Sequence, residues 1–260
     1  MAIQLDIISI NGLISTLIAV DIGNSAIKFF SNNNLFNYSY KSDWEKEVRH
    51  FIGGLSNQSV CFIISSVNRE KYQYLLSLLE SNIFHQHFDI NILLEKQNII
   101  NFNKIYGIGN DRKLGLIGAL TYSDPPFITI DLGTATTINF LDENYICQGG
   151  AIIPGIFTQL RSLIEHTSAL KRIRLEDPKE LLGKSTNEAI SSGIVNGTIG
   201  AIELFINKIR SQYQKQKIKV FVTGGNSLWI YEQLANQNEH IELKHYLVLE
   251  GIIKLAKKYL

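Results

Sequence analysis

The sequence is poor in cysteine, proline and net charge. Two cysteines and four prolines occur in 260 residues. Two cysteines exclude a disulfide framework and are typical of a reducing compartment, so we expect a cytoplasmic protein. Because 25 Lys and Arg stand against 24 Asp and Glu, the formal net charge is +1. This balance argues against general binding of nucleic acid, which requires a basic surface.

We also expect no membrane-spanning segment. The run Leu13–Val20 falls short of the about 20 residues that a membrane-spanning helix needs. The first dozen residues contain no Lys or Arg, so we expect no signal peptide and no membrane partner. The role of Met1–Ser15 stays open between a short extension, an added strand and residues upstream of the natural start.

What the sequence does contain is 45% apolar residues, in a chain long enough for one to two domains. Short strand-like runs alternate with helical patterns, which predicts an α/β fold. Among the elements we expect a strand at Asp89–Leu93 and helices at Gly155–Leu170, Thr186–Tyr213 and Leu247–Tyr259.

An internal repeat organises the chain. Ile18–Ser25 and Ile128–Ala135 both consist of an apolar strand, Asp, an apolar residue, Gly and a small residue. In both, a second strand follows directly and a third follows a short turn. Chance also produces such hairpins, but the recurring strand context favours a duplication. We therefore predict two domains of related topology, at residues 1–118 and 119–260.

The two Asp-x-Gly turns have the chemistry of a site for phosphate and metal. Backbone N–H groups in such a turn can surround phosphate oxygens, and a carboxylate can hold Mg²⁺ directly or through water. Two such turns facing each other across a cleft would hold a nucleoside triphosphate from both sides. Suitable donors are Asn24, Ser25, Lys28 and Thr134. The alternative is that Asp21 and Asp131 only cap their turns.

Five motifs carry a resemblance to a known family. They are, in order, Asp21-Ile-Gly-Asn-Ser25, Gly109-Asn-Asp-Arg112, Asp131-Leu-Gly-Thr-Ala-Thr-Thr137, Gly149-Gly-Ala-Ile-Ile-Pro-Gly155 and Thr223-Gly-Gly225. From about Leu17 to the C-terminus the chain resembles the type III pantothenate kinases, which belong to the acetate and sugar kinase/Hsp70/actin superfamily. The resemblance implies an α/β fold with two RNase H-like (actin-like ATPase) domains, whose mixed β-sheets are flanked by helices.

The resemblance also implies an activity and its cofactors. Family members phosphorylate pantothenate with ATP, giving 4′-phosphopantothenate in the first step of coenzyme A synthesis. They are typically homodimers that need Mg²⁺ and a monovalent cation, K⁺ or NH₄⁺. We expect the same substrate, cofactors and assembly here.

Matching positions receive roles from the resemblance. The first ATP phosphate loop corresponds to Asp21, Ile22, Gly23, Asn24, Ser25, Ala26, Ile27 and Lys28. Thr134 matches a further ATP contact, Asp131 matches the K⁺ ligand, and Asp21 would hold Mg²⁺, directly or through water. Asp111 matches the acceptor of the proton from the pantothenate hydroxyl. The substrate segment comprises Gly109, Asn110, Asp111 and Arg112, and Thr186 matches a substrate contact reached across the dimer.

Three positions depart from the family pattern. Phe102 stands where a substrate-contacting Tyr is frequent, and a missing hydroxyl costs about 0.5–1.5 kcal/mol of binding free energy. Asn110 replaces a small apolar residue and Ser25 replaces Thr, and we regard both changes as minor.

Thr223–Gly225 would approach adenine or ribose, or form only a turn between strand and helix.

Other interpretations stay open on the sequence alone. Asp111 would also suit the N-cap of a helix over Arg112–Tyr122, a role compatible with catalysis. The alternatives to a pantothenate kinase are another kinase or a phosphatase of the same fold, a non-catalytic regulatory protein, and a nuclease with paired carboxylates, which the near-neutral charge argues against. Gly183–Thr186 is similar to the end of a P-loop, but Pro178 stands where that motif requires Gly.

Overall fold

Two mixed β-sheets, each with its own helices, form the computed structural model, which describes residues 6–10, 12–167, 170, 173–214, 217–237 and 240–260. Contacts divide the chain into two compact units. The first contains residues up to Ile100, Gly107–Tyr122 and Leu247–Leu260, and the second contains Asn101–Tyr106 and Ser123–Tyr246.

The first unit is built on a six-stranded sheet. Its elements are β1 (Ile7–Ile10), β2 (Leu13–Ile22), β3 (Ala26–Ser31), β4 (Asn34–Ser39), α1 (Trp44–Gly53), β5 (Val60–Ser66), α2 (Arg69–Leu79), β6 (His85–Asp89), α3 (Ile90–Lys96), α4 (Asn110–Ala119) and, from the C-terminus, α8 (Leu247–Tyr259). The strand order is β4-β3-β2-β5-β6, with β1 pairing antiparallel to β2. Of the possibilities left open for Met1–Ser15, the structure thus shows an added strand at Ile7–Ile10, while residues 1–5 and 11 lie outside the described residues.

Strand direction decides which residues of the first sheet come together. β2 and β4 both run antiparallel to β3, and β5 and β6 run parallel to β2. The carboxyl ends of β2, β4, β5 and β6 therefore lie at one edge of the sheet. Alternate residues of β2, including Val20, pack beneath α1 and α2 with Trp44 and Leu75. This apolar face fixes the register and leaves Asp21 at the sheet edge.

The predicted strand at Asp89–Leu93 is wrong. Strand β6 ends at Asp89, and α3 begins at the next residue. The Asp89 carboxylate accepts the N–H of Asn91 at 2.8 Å, which makes it an N-cap. Ile90, Leu93 and Leu94 are buried at helical spacing, a short apolar pattern that periodicity alone does not separate from a strand.

The second unit repeats this topology. Its elements are β7 (Phe127–Leu132), β8 (Ala135–Leu141), β9 (Cys147–Pro154), α5 (Ile156–His166), α6 (Thr186–Gln212), β10 (Lys219–Thr223), α7 (Leu228–Gln237) and β11 (Ile241–Leu243). The strand order is β11-β10-β7-β8-β9, with β7, β8 and β9 antiparallel and β10 and β11 parallel to β7. In each unit the strand carrying the Asp-x-Gly turn is the middle strand. The structure thus confirms the predicted α/β fold with two mixed sheets.

Helix α6 supplies much of the second core. By length and composition alone it is long and apolar enough to cross a membrane. One of its faces, with Ile194, Val195, Ile199 and Ile202, is buried in the second core.

The compact units differ from the predicted division at residues 118 and 119. The chain leaves the first unit only after Tyr122, and it returns there at Leu247. Helix α8, which the prediction assigned to the second domain, packs against α4 and β2 of the first unit. Its apolar face, with Leu249, Ile252 and Leu255, is buried there. The apolar face of α8 was visible in the sequence, but the element that it covers was not.

Candidate active site

The first turn joins β2 to β3 and carries the first Asp-x-Gly motif. Asp21 lies directly opposite Lys28 in the strand pairing, and their Oδ2 and Nζ atoms are 3.6 Å apart. The N–H of Gly23 donates to the carbonyl of Ala26 at 3.0 Å, which closes the turn. Asn24 and Ser25 are exposed at its tip. Both side chains thus lie at the surface of the first unit.

Two residues of the predicted phosphate loop, Ile22 and Ile27, have side chains that belong to the apolar core. The side chains of Ile22 and Ile27 pair across the hairpin and are fully buried in the first core. Their burial anchors the base of the turn. Only their backbone groups would be available to a ligand.

The pKa of Asp21 is affected by the charge of Asp111, the predicted proton acceptor. Burial raises the pKa of Asp21 above its ordinary value of 3.8, Lys28 opposes this, and the nearby Asp111 carboxylate raises the pKa further. The Asp111 charge therefore disfavours the ionised form of Asp21. Burial, and then the Asp21 charge, also raises the pKa of Tyr40 to about 12. A cation at Asp21 would offset the effect of the Asp111 charge.

Asp111 lies in the first turn of α4 and is exposed. The suggestion that it caps the helix is wrong, because α4 begins at Asn110 and the N-cap is Gly109, without a side-chain capping bond. A Cβ added to Gly109 would lie 2.5 Å from Oδ1 of Asp111. The absence of a side chain at Gly109 therefore leaves room for the carboxylate.

The substrate segment is tied to its neighbours within the first unit. Nδ2 of Asn110 donates to Oδ1 of Asn91 in α3 at 2.9 Å. This bond gives the unusual Asn110 a structural role, since it joins the start of α4 to α3. Arg112 follows in the first turn of α4 and is half-buried.

The second turn joins β7 to β8 and is one residue shorter than the first. Its closing bond runs from the N–H of Gly133 to the carbonyl of Ala135, at 3.0 Å. The carbonyl of Thr134 accepts the N–H of Gly155 at 3.0 Å and the hydroxyl of Thr158 at 2.7 Å. These bonds hold Thr134, the predicted ATP contact, by its backbone.

Asp131 lies beside the end of β10. Its strand partners are Thr137 in β8 and Thr223 in β10. Gly224 has a φ of +100°, and a Cβ added there would collide with the Asp131 carboxylate and the Leu132 backbone. The absence of a side chain at Gly224 thus allows it to pack closely against Asp131. Whether Thr223–Gly225 also contacts the adenine or ribose stays a prediction.

Sequence reasoning missed two residues that support the second turn. The N–H of Asn226 donates to the carbonyl of Leu132 at 2.9 Å, and its Nδ2 donates to the carbonyl of Gly133 at 3.1 Å. Thr158 supplies the bond to Thr134 described above. A polar residue directly after Gly224-Gly225 was the available signal for Asn226, but the sequence holds no comparable signal for Thr158.

The remaining predicted residues lie elsewhere in the second unit. The carbonyl of Phe102 accepts the N–H of Ile105 at 2.9 Å, and its side chain is half-buried. Thr186 is the exposed first residue of α6, whose N-cap Ser185 forms a capping box with Glu188. This capping box explains the Gly183–Thr186 sequence, which is not a P-loop. Substrate contacts of Phe102 and Thr186 stay predictions.

The oxygen donors suit the two expected cations. Within the described ranges, no group of three or more His, Cys, Asp and Glu side chains could form a metal cage. Mg²⁺ needs no such cage, because it commonly binds one or two carboxylates, several waters and substrate phosphates. The Asp111 charge disfavours the ionised form of Asp21, and a cation at Asp21 would offset this effect. Asp131 offers the hard oxygen donor that a monovalent cation would use.

Two sheets of repeated topology, each with an Asp-x-Gly turn after its middle strand, form an actin-like ATPase fold. Solved structures share this fold. A Campylobacter jejuni protein named for the Baf family of transcriptional activators is 22% identical, with a TM-score of 0.58 over 93% of this chain and 98% of that one. A Sinorhizobium meliloti protein named for 2-dehydro-3-deoxygalactonokinase is 11% identical, with a TM-score of 0.55 over 94% and 96%.

Sequence comparison identifies the family within this class. The profile of the type III pantothenate kinases matches residues 17–208. A type III pantothenate kinase of Sulfurihydrogenibium sp. is 29% identical over 93% of this chain and 99% of its own length. One of Persephonella marina is 30% identical over 91% and 96%. The chain belongs to the type III pantothenate kinase family.

Proposed function

We infer that the protein transfers the γ-phosphoryl group of ATP to pantothenate, giving ADP and 4′-phosphopantothenate in the first step of coenzyme A biosynthesis. The observation that carries this inference is the family match over residues 17–208, which includes both Asp-x-Gly turns and the Gly109–Arg112 segment. Phosphoryl transfer depends mainly on positioning and charge stabilisation. The site offers groups for both tasks.

We assign the proton acceptor to Asp111. As the pantothenate hydroxyl oxygen bonds to the γ-phosphorus, the bond from phosphorus to the bridging oxygen breaks and the hydroxyl proton passes to the Asp111 carboxylate. A carboxylate is a weak base for an alcohol, so the transfer is late and Asp111 mainly orients the hydroxyl. Its exposed position and the room above Gly109 support this role. Arg112, in the same helical turn, would hold the substrate or the transferring phosphate.

The first turn would bind the phosphates of ATP. Asn24 and Ser25 are exposed at its tip, and Lys28 supplies positive charge beside Asp21. Asp21 would hold Mg²⁺, directly or through water, and the ion would neutralise charge on the phosphates. This arrangement uses the turn's backbone N–H groups as additional phosphate donors.

In the second unit we assign Thr134 to ATP and Asp131 to K⁺ or NH₄⁺. The four hydrogen bonds from Gly155, Thr158 and Asn226 to the turn support this role, since they hold its backbone in one conformation. We further propose that Phe102 and Thr186 contact pantothenate. A homodimer, in which Thr186 acts across the interface, completes the proposal.

The activity is tested by ADP release from MgATP with and without pantothenate, in K⁺ and in Na⁺. Asp111→Asn should lower turnover by about a hundredfold or more. Asp43→Asn is the matched control, because Asp43 is an exposed N-cap of α1 in the same unit and makes no side-chain capping bond. Its turnover should equal that of the wild type.

The outcomes separate the parts of the proposal. Turnover that needs pantothenate and K⁺ supports the substrate and the cation together. If the folded protein binds MgATP but releases no additional ADP with pantothenate, pantothenate is not the substrate that accepts the phosphoryl group. Full activity of the Asp111→Asn variant would remove Asp111 from its role while leaving the reaction itself intact.

A further inference from the structure

Tyr40 lies at the same edge of the first sheet as Asp21. It directly follows β4, which ends at the edge where β2 also ends. Its backbone N–H donates to the carbonyl of Ser25 in the first turn, at 3.0 Å. Tyr40 is therefore attached to the tip of the proposed phosphate loop.

Aromatic and cationic contacts hold the Tyr40 ring in place. The ring meets Trp44 of α1 edge-on, with centroids 5.2 Å apart. Nζ of Lys71 lies 4.7 Å from the Trp44 centroid and 5.7 Å from the Tyr40 centroid. A phenylalanine would make the same ring contacts. The packing therefore does not explain why the residue carries a hydroxyl.

The hydroxyl of Tyr40 is the unusual part of the residue. It is buried, and within the described part of the chain it has no hydrogen-bond partner. Buried polar groups are nearly always paired, and an unpaired one destabilises the folded protein. Burial and the Asp21 carboxylate together raise the pKa of Tyr40 to about 12, so at neutral pH the group is a hydrogen-bond donor. Its partner is expected to be an acceptor.

We propose that Tyr40 is a nucleotide-binding residue whose hydroxyl donates a hydrogen bond to a phosphate oxygen of bound MgATP. This inference rests on the proposed function and adds one residue to its nucleotide site. Three observations carry it: the shared sheet edge with Asp21, the bond to Ser25 and the unpaired hydroxyl. An anionic phosphate oxygen is the strongest acceptor that the proposed reaction brings to this turn.

The test compares Tyr40→Phe with Tyr74→Phe. Tyr74 packs on the same Trp44 ring, with centroids 5.0 Å apart, but its hydroxyl already donates to the carbonyl of Glu45 at 2.9 Å. Tyr40→Phe should leave the melting temperature of the ligand-free protein equal or higher and raise the KM for MgATP about tenfold. Tyr74→Phe should lower the melting temperature and leave that KM unchanged.

A binding measurement makes the test independent of turnover. MgATP without pantothenate should raise the melting temperature of the wild type and of Tyr74→Phe, and less so that of Tyr40→Phe. An unchanged KM for MgATP with an unchanged thermal shift in Tyr40→Phe would overturn the inference. A higher KM for pantothenate alone would also overturn it, because the hydroxyl would then serve the acceptor substrate. If the wild type shows a MgATP shift but no pantothenate-dependent turnover, the proposed function fails and the thermal shifts still decide the role of Tyr40.

Discussion

Gly118 and Gly251 bring α4 and α8 into backbone contact. A Cβ placed on Gly118 would lie 3.0 Å from the backbone nitrogen of Gly251 and would collide with the carbonyl of Leu247. A Cβ on Gly251 would collide with the carbonyl of Leu114. Because α4 carries Asp111 in its first turn, the C-terminal helix supports the element that presents the proposed proton acceptor.

The first prediction concerns this contact. Gly118→Ala should lower the free energy of unfolding by about 1–3 kcal/mol, because the methyl group forces two helices apart. Gly115→Ala is the control in the same helix, since a Cβ there meets nothing within 4 Å. The control should be neutral or stabilising by up to about 1 kcal/mol through helix propensity. Denaturant unfolding measures both, and equal effects of the two variants would contradict the close packing.

The second prediction uses the raised pKa of Asp21. Burial and Asp111 make the charged form of Asp21 less favourable in the folded chain than in the unfolded chain, even with Lys28 beside it. This cost is absent below the ordinary pKa of 3.8 and appears as pH rises. Asp21→Asn should therefore melt at a higher temperature than the wild type at pH 7, and the difference should shrink as pH falls toward that value.

The activity of the same variant should change in the opposite direction. Without the carboxylate for Mg²⁺, we expect kcat/KM for MgATP to fall about a hundredfold. Asp43→Asn serves as the control for both measurements. The prediction is contradicted if Asp21→Asn is less stable than the wild type at pH 7, or if the difference in melting temperature does not change with pH. Either result would show that the charged form of Asp21 does not destabilise the folded protein.

The third prediction concerns the support of the second turn. Thr158→Val removes the hydroxyl that donates to the Thr134 carbonyl, so unfolding free energy should fall by about 1 kcal/mol and the KM for MgATP should rise. Thr167→Val is the control. It removes a hydroxyl at the end of α5 that donates a hydrogen bond of the same length, 2.7 Å, to the carbonyl of Leu163. That control should change stability without changing KM. Equal KM values for the two variants would count against the role of the second turn in ATP binding.

The fourth prediction concerns the departure at Phe102. Phe102→Tyr introduces the hydroxyl that is frequent in the family, and it should lower the KM for pantothenate about two- to tenfold, the effect of one hydrogen bond. The KM for MgATP should stay the same. Phe84→Tyr, at a 52% exposed position, is the control and should change neither constant. A higher KM for pantothenate in Phe102→Tyr would show that the site has adapted to the phenyl ring.

Local patterns made several features predictable. Helix α8 begins and ends at the predicted residues, Leu247 and Tyr259, and α6 begins at the predicted Thr186. These boundaries follow from apolar periodicity and from a capping residue, which both act within a few residues. The segment at Ile90 was misassigned because its short apolar pattern fits a strand as well as a helix.

The sequence by itself determined the repeated strand–Asp-x-Gly hairpins, the order of the family motifs and the candidate residues Asp21, Asp111 and Asp131. Only the tertiary structure decided that α8 packs on α4, that Asn226 and Thr158 hold the second turn, and that the Tyr40 hydroxyl is buried without a partner among the described residues. The physical reason is distance along the chain. Turn chemistry and periodicity depend on neighbouring residues, whereas a contact such as Gly118 with Gly251 depends on which distant surfaces bury each other.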